Sequence, residues 1–167
     1  MVLRDLPQLP NQIVIAPHTR QRLVAEAGRS RDTRECGGWL VGHAFERGVQ
    51  VIDLVGQGLR TKRERSSMEL VGRLAEEFVS QFDESIHIIG CWHTHLTEDH
   101  RPSDLDLEAW RYYFEVFGEP CRAALILTPD LGSGWVWAVP RLHAWMVRRS
   151  RRETELICEP ATVVEAV

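Results

Sequence analysis

The sequence predicts an α/β fold in which a mixed, mostly antiparallel sheet is flanked by helices. Three observations support this. Apolar runs of strand length outnumber helical stripes; several of those runs are joined by connections too short for a crossover; and each helical stripe has one apolar face to lay on a sheet. A chain of 167 residues buries enough surface for one self-sufficient core, so a single domain spanning 1–167 is expected.

In chain order, Gln12 to Ala16 (QIVIA) is a short strand, and Pro17 stands where a helix can begin. Leu23, Val24 and Ala27 share a face, which predicts a helix from Pro17 to Ala27. Polar residues from Arg29 to Arg34 form a loop, and the chain becomes apolar again over Glu35-Cys36-Gly37-Gly38-Trp39-Leu40-Val41-Gly42. Glycines inside such a segment mark a bulge or a close backbone approach. Val49 to Val55 is the next strand, paired with Trp39 to Val41 as a hairpin. Gly56 to Ser67 is a basic, polar loop of about a dozen residues, longer than a plain connection needs. Leu70, Leu74 and Phe78 with Val71, Ala75, Val79 and Phe82 repeat at helical spacing, and Ser66 with Glu69 can form a capping box before them. Ile86 to Trp92 is a buried strand running into His93, and a helix starts at Ser103 with Leu107, Trp110 and Phe114 inward. The remaining strands are Ala123 to Thr128, Gly134 to Val139, His143 to Val147 and Glu155 to Cys158.

Composition narrows the function. A content of 44% hydrophobic and 26% charged residues fits a globular domain, and no apolar stretch approaches the roughly 18 residues of a membrane span. Met1 to Asn11 has no apolar core of the secretory kind, so the expected compartment is the cytoplasm. The net charge of -4 argues against a nucleic-acid partner. Cys36, Cys91, Cys121 and Cys158 are widely spaced without a CxxC pair and are read as buried thiols. The six tryptophans are read as packing residues. Of the 20 basic residues only Lys62 is lysine, which fits codon bias or an enzyme that avoids presenting acceptor amines beside a conjugating system.

The chemistry lies in His93-Thr94-His95, followed after seven intervening residues by Ser103 and after two more by Asp106. At a strand end, positions i and i+2 face one way, so His93 and His95 present two imidazoles to one ion. A carboxylate in the first turn of the next helix closes the set, leaving a fourth tetrahedral position for water, the arrangement of a catalytic zinc. Ser103 and Asp106 alone are an ordinary S-x-x-D helix start. Capping does not call for an HxH pair upstream, and a chance match to all four positions is on the order of one in a thousand. Glu35, opening a glycine-bearing segment, is the candidate general base, and Ser103 the candidate hydrogen-bond donor to a developing oxyanion. His18, His43, His87 and His143 are assigned structural roles.

Glu35 ahead of Gly-Gly-Trp-Leu-Val-Gly, then Ile89-Gly90-Cys91-Trp92-His93-Thr94-His95 and Pro102-Ser103-Asp104-Leu105-Asp106, resembles the JAMM (MPN-plus) metalloprotease family over about Val14 to Val139. The resemblance implies a cytidine-deaminase-like fold, one zinc per chain, and hydrolysis after the C-terminal glycine of ubiquitin or a ubiquitin-like protein. It makes His93, His95 and Asp106 the ligands, Glu35 the general base and Ser103 the oxyanion donor. Leu96 stands where members commonly have proline, and Thr94 where serine is more usual. The short WHTH form resembles bacterial members found in ubiquitin-like conjugation operons, including the antiphage CBASS and Bil systems.

A glycine tail suits a narrow channel, since only a segment without side chains lies extended against backbone beside a metal. Gly56 to Ser67, with Arg60, Arg63 and Arg65, is expected to border that channel, the alternative being a solvated basic loop. Arg148, Arg149, Arg151 and Arg152 are read as a solvated strand end. Three functions compete: a deconjugating isopeptidase, a peptidase trimming ubiquitin-like or sulfur-carrier precursors, and a non-catalytic scaffold. A thiol protease built on Cys91 and His93 lacks a third orienting group.

Overall fold

A computed structural model describes residues 11–28, 35–55, 77, 79–81, 84–118, 122–130, 136–150 and 155–166, with the backbone alone described for 136–139. Strand β1 (Gln12–Ile15) alternates faces and buries Ile13 and Ile15 completely. Helix α1 (Pro17–Ala27) opens on proline, whose fixed φ suits the first helical position and whose missing N–H would have had no partner there. It buries Leu23 and Ala27, and the Thr19 hydroxyl donates to the Ile52 carbonyl at 2.8 Å. Strands β2 (Gly37–Phe45) and β3 (Gly48–Val55) form the expected antiparallel hairpin, with Trp39 opposite Val55. The hairpin bulges at Val41/Gly42, where a Cβ on Gly42 would lie 1.8 Å from the Gln50 carbonyl oxygen.

Strand β4 (His87–Thr94) pairs antiparallel with β2 and parallel with β5 (Ala123–Asp130), and helix α2 (Asp104–Phe117) makes the crossover that a parallel pair requires. Strand β6 (Val136–Arg149) is one continuous element where the sequence pattern suggested two strands, 134–139 and 143–147. The pairing of β5 with β6 is irregular between Thr128 and Asp130, where Pro129 on β5 and Pro140 on β6 both lack an N–H for the ladder. Strand β7 (Leu156–Pro160) matches the expected strand at its own position, and β8 (Thr162–Glu165) is an element the sequence reading did not foresee. The Gly56 to Ser67 loop, Cys121, Trp135, Arg151 and Arg152 lie outside the described residues. So does most of the helix expected near Leu70 to Phe82, of which Glu77 and Val79 are described and are helical.

The strand order is β7-β6-β5-β4-β2-β3-β1-β8, a mixed sheet with four antiparallel and three parallel pairings. Only Ala161 separates β7 from β8. Its N–H bonds to the Ala144 carbonyl on β6, while Thr162 N–H bonds to the Asn11 carbonyl beside β1, so the C-terminal segment joins the two ends of the sheet. One face packs on α1 through Leu40, Ile89, Trp92, Leu125 and Met146, and the other packs on α2 through Trp39, Val41, Cys91, Ala124 and Ile126. Edge-to-face contacts from Trp39 to Tyr113 at 4.5 Å and to Phe117 at 5.0 Å seat α2 on β2. Trp39, Trp92 and Trp110 are therefore core residues, as expected. Arg148 pairs with Glu159, and Arg149 lies over the Phe114 ring, so this part of the basic cluster is partnered and not simply solvated.

Candidate metal centre

The site begins with a slip in β4. Leu40 faces Gly90 and Val41 faces Ile88, leaving Ile89 without a partner on β2. This bulge changes the alternation: Ile88 and Cys91 lie on the α2 face, while Ile89 and Trp92 lie on the α1 face. His93 and His95 follow Cys91 onto the α2 side, where the Trp110 ring centroid is 6.4 Å from that of His93. His95 continues the ladder past the strand end by donating its N–H to the Leu127 carbonyl at 2.9 Å.

Helix α2 brings the third ligand. Ser103 caps it from an extended conformation, accepting the Asp106 N–H on Oγ at 3.2 Å, while Asp106 Oδ2 accepts the Ser103 N–H at 2.7 Å and the Ser103 hydroxyl at 2.6 Å. These bonds fix the carboxylate at the positive end of the helix dipole. Asp106 Oδ1 then faces His93 Nε2 at 3.2 Å, and Oδ2 faces His95 Nε2 at 3.3 Å. The two imidazole Nε2 atoms are 3.0 Å apart.

His95 Nδ1 lies 2.7 Å from the Asp99 carbonyl oxygen. A carbonyl only accepts, so Nδ1 carries a proton, and in the neutral ring Nε2 is then left to bind an ion. The Asp99 turn is held by a two-pronged ion pair with Arg101, which brings the Asp99 carboxyl down to about 2. Hydrogen bonding to Asp106 raises His95 above its ordinary value against the lowering by burial, and the Asp99 bond and the charges of Asp106 and Glu35 add to the rise. Burial would push Asp106 up, but bonds from His93, His95 and Ser103 hold it well below the carboxylate range.

The donor set fits a divalent cation. A tetrahedral zinc with bonds near 2.0–2.1 Å has ligand atoms about 3.3 Å apart, close to the three separations between the side chains. Among the described residues, His93, His95 and Asp106 are the one group of three or more such side chains placed so that it could hold a metal ion. The two Nε2 atoms lie 3.0 Å apart, a spacing that a shared proton or a shared cation can bridge, and the Asp106 carboxylate supplies the compensating charge.

A model of the prokaryotic homologs of the JAB domain matches residues 17–155. The chain belongs to the prokaryotic JAB family. Among solved structures, the solution structure of protein DSY2949 from Desulfitobacterium hafniense is similar with a TM-score of 0.53, covering 93% of this chain and 94% of that chain at 15% identity. That likeness is one of fold. No curated protein matches.

In this JAB domain the structure brings four of the five expected site residues into direct contact, His93, His95, Ser103 and Asp106. The fifth, Glu35, lies just before β2. Gly37 is opposite His93, so extending the register by two places sets Glu35 opposite His95, and its charge acts on that ring. Ser103 spends its hydroxyl proton on Asp106, so its first role here is to hold a ligand. Of the remaining histidines, His43 bonds to the Ser85 carbonyl, while His143 contacts Thr128 and stacks on His100 at 4.5 Å. The Asp99 carbonyl was not singled out by sequence, and Thr94 was noted only as standing where serine is more usual, because turn and strand positions of this kind carry no periodic signal. Among the described residues no helix is long and apolar enough to cross a membrane.

Proposed function

We propose that this JAB domain is a zinc-dependent peptidase that cleaves after the C-terminal glycine of a ubiquitin-like protein, as an isopeptidase on conjugates, a processor of precursors, or both. The observation that carries it is the convergence of one ligand atom each from His93, His95 and Asp106, a set of three that would leave a tetrahedral zinc one open position. When bound, the ion supplies Lewis acidity and water of lowered pKa at neutral pH. Glu35 accepts the proton from the attacking water on a carboxylate oxygen and returns it to the leaving nitrogen. Ser103 orients Asp106 and, by turning its O–H away from that carboxylate, donates to the oxygen that gains charge. The intended setting is a prokaryotic cytoplasmic ubiquitin-like pathway such as antiphage defence, with neither nucleic acid nor membrane as partner.

The test is incubation of the zinc-loaded protein with reporter fusions to candidate ubiquitin-like and sulfur-carrier proteins. Glu35→Ala should lower kcat by about a hundredfold or more while zinc stays bound, and chelation should abolish cleavage until zinc is restored. Cleavage insensitive to both changes would refute the mechanism. A protein that binds zinc but cleaves no fusion would favour the scaffold role open to this family.

A further inference from the structure

Thr94 lies between the two histidines and points away from them. It is completely buried on the α1 face. Its hydroxyl oxygen accepts the Cys36 N–H at 2.9 Å, and its own N–H donates to the Cys36 carbonyl at 2.9 Å. The hydroxyl proton is directed at Cys36 as well, with the carbonyl at 3.4 Å and Sγ at 3.8 Å. Cys36 in turn donates its thiol to the Glu26 carbonyl at 3.3 Å in the last turn of α1. One residue therefore grips both polar groups of the residue that follows Glu35, its hydroxyl taking the N–H and its main chain the carbonyl, within one peptide of His93 and His95 on either side.

We infer that Thr94 is a positioning residue that fixes the distance between the Glu35 carboxylate and the His93–His95–Asp106 cluster. The inference rests on the peptidase reading and adds to it a residue that touches neither metal nor substrate. Glu35 precedes β2, and the Gly37–His93 pair is the last regular pairing of β2 with β4. Beyond that pair the strand is held to β4 at Cys36, by Thr94 through one main-chain bond and one side-chain bond. Gly37 permits the close approach, since a Cβ there would meet the Trp92 carbonyl oxygen at 2.6 Å. Loss of the hydroxyl leaves the ligands in place and releases the base, and a shift of about 1 Å in a reacting group costs on the order of a hundredfold in rate.

The variants are Thr94→Val, which keeps shape and removes the hydroxyl, and Thr94→Ser, which keeps the hydroxyl. Two readouts are needed. In amide hydrogen exchange on the metal-free protein, Cys36 N–H should be protected in the wild type and in Thr94→Ser, and should exchange at least about tenfold faster in Thr94→Val. In cleavage of a ubiquitin-like reporter fusion, Thr94→Val should lose about tenfold to a hundredfold in kcat, with KM and zinc affinity each within about threefold of wild type, and Thr94→Ser should recover to within about threefold.

Unchanged kcat in Thr94→Val overturns the inference, as does a loss that falls on zinc affinity. If Thr94→Val does not fold, the wild type decides: a Cys36 amide exchanging as fast as an exposed loop amide overturns it. If the wild type cleaves no fusion, the peptidase reading has failed by itself, and the grip on Cys36 is still judged by the exchange rates.

Discussion

Zinc should stabilise this domain by an amount set by three mostly buried ligands. The His93, His95 and Asp106 side chains are 17%, 12% and 14% exposed, and two of them are oriented by groups outside the cluster, His95 by the Asp99 carbonyl and Asp106 by Ser103. Binding to the folded state alone adds RT ln(1 + [L]/Kd), about 4 kcal/mol at a free zinc concentration of about 1,000 Kd. For a chain of this length that raises Tm by about 8 to 16 °C. Asp106→Asn keeps the size of the side chain and a carbonyl for the Ser103 bonds, yet removes the anionic ligand. If its affinity falls a thousandfold, the same zinc concentration adds only about 0.4 kcal/mol, or about 1 to 2 °C. The assay is calorimetry at pH 7.5 with buffered zinc, comparing wild type, Asp106→Asn and both after chelation. Superimposable wild-type scans with and without zinc would refute the site, and an Asp106→Asn shift equal to wild type would refute the ligand assignment.

Ser103→Ala should cost about 1 kcal/mol in urea unfolding through loss of the helix cap. The same variant should weaken zinc about tenfold to a hundredfold in competition with a chromophoric chelator, because Ser103 Oγ holds Asp106 Oδ2. Gly37→Ala places a Cβ 2.6 Å from the Trp92 carbonyl oxygen and 3.1 Å from His93 Cβ, so it should lose about 1–3 kcal/mol, seen as a Tm lower by about 2 to 12 °C. Burial lowers the His143 pKa, helped by the charges of His100, Arg141 and His95. The unfolded chain therefore takes up this proton first, and His143 should make stability fall as pH drops below about 6.5. Denaturant titrations at pH 7.5 and 5.5 should show a smaller loss in His143→Gln than in wild type; equal losses would remove the assignment.

The elements that were legible are those with a strong local signal. Pro17 with the Leu23 and Ala27 face marks α1, and Ser103 with Asp106 marks the start of α2, because capping chemistry and helical spacing are both local. Strand β8 was not legible. Thr162 to Glu165 is mostly exposed and short, and only its parallel pairing with β1, some 150 residues away along the chain, makes it a strand. Non-local pairing of that kind leaves no periodic trace. Strand β6 is continuous where the sequence pattern suggested two strands, because the irregular pairing at Pro129 and Pro140 interrupts the ladder without ending the strand.

The convergence of His93, His95 and Asp106 was legible for a reason that was incomplete. The i, i+2 rule places His93 and His95 on a common face but does not say which one. Extending the alternation from Ile89 sends both histidines to the α1 face, away from Asp106. The extra residue at Ile89 reverses that, and Gly90 makes it possible, since a Cβ there would lie 1.9 Å from the Ala123 carbonyl oxygen. Thr94 then necessarily turns inward, where its hydroxyl meets Cys36. The same half-turn of the strand that aims two imidazoles at Asp106 thus also ties down the segment carrying Glu35, so that the His93–His95–Asp106 cluster and Glu35 are placed by a single irregularity in β4.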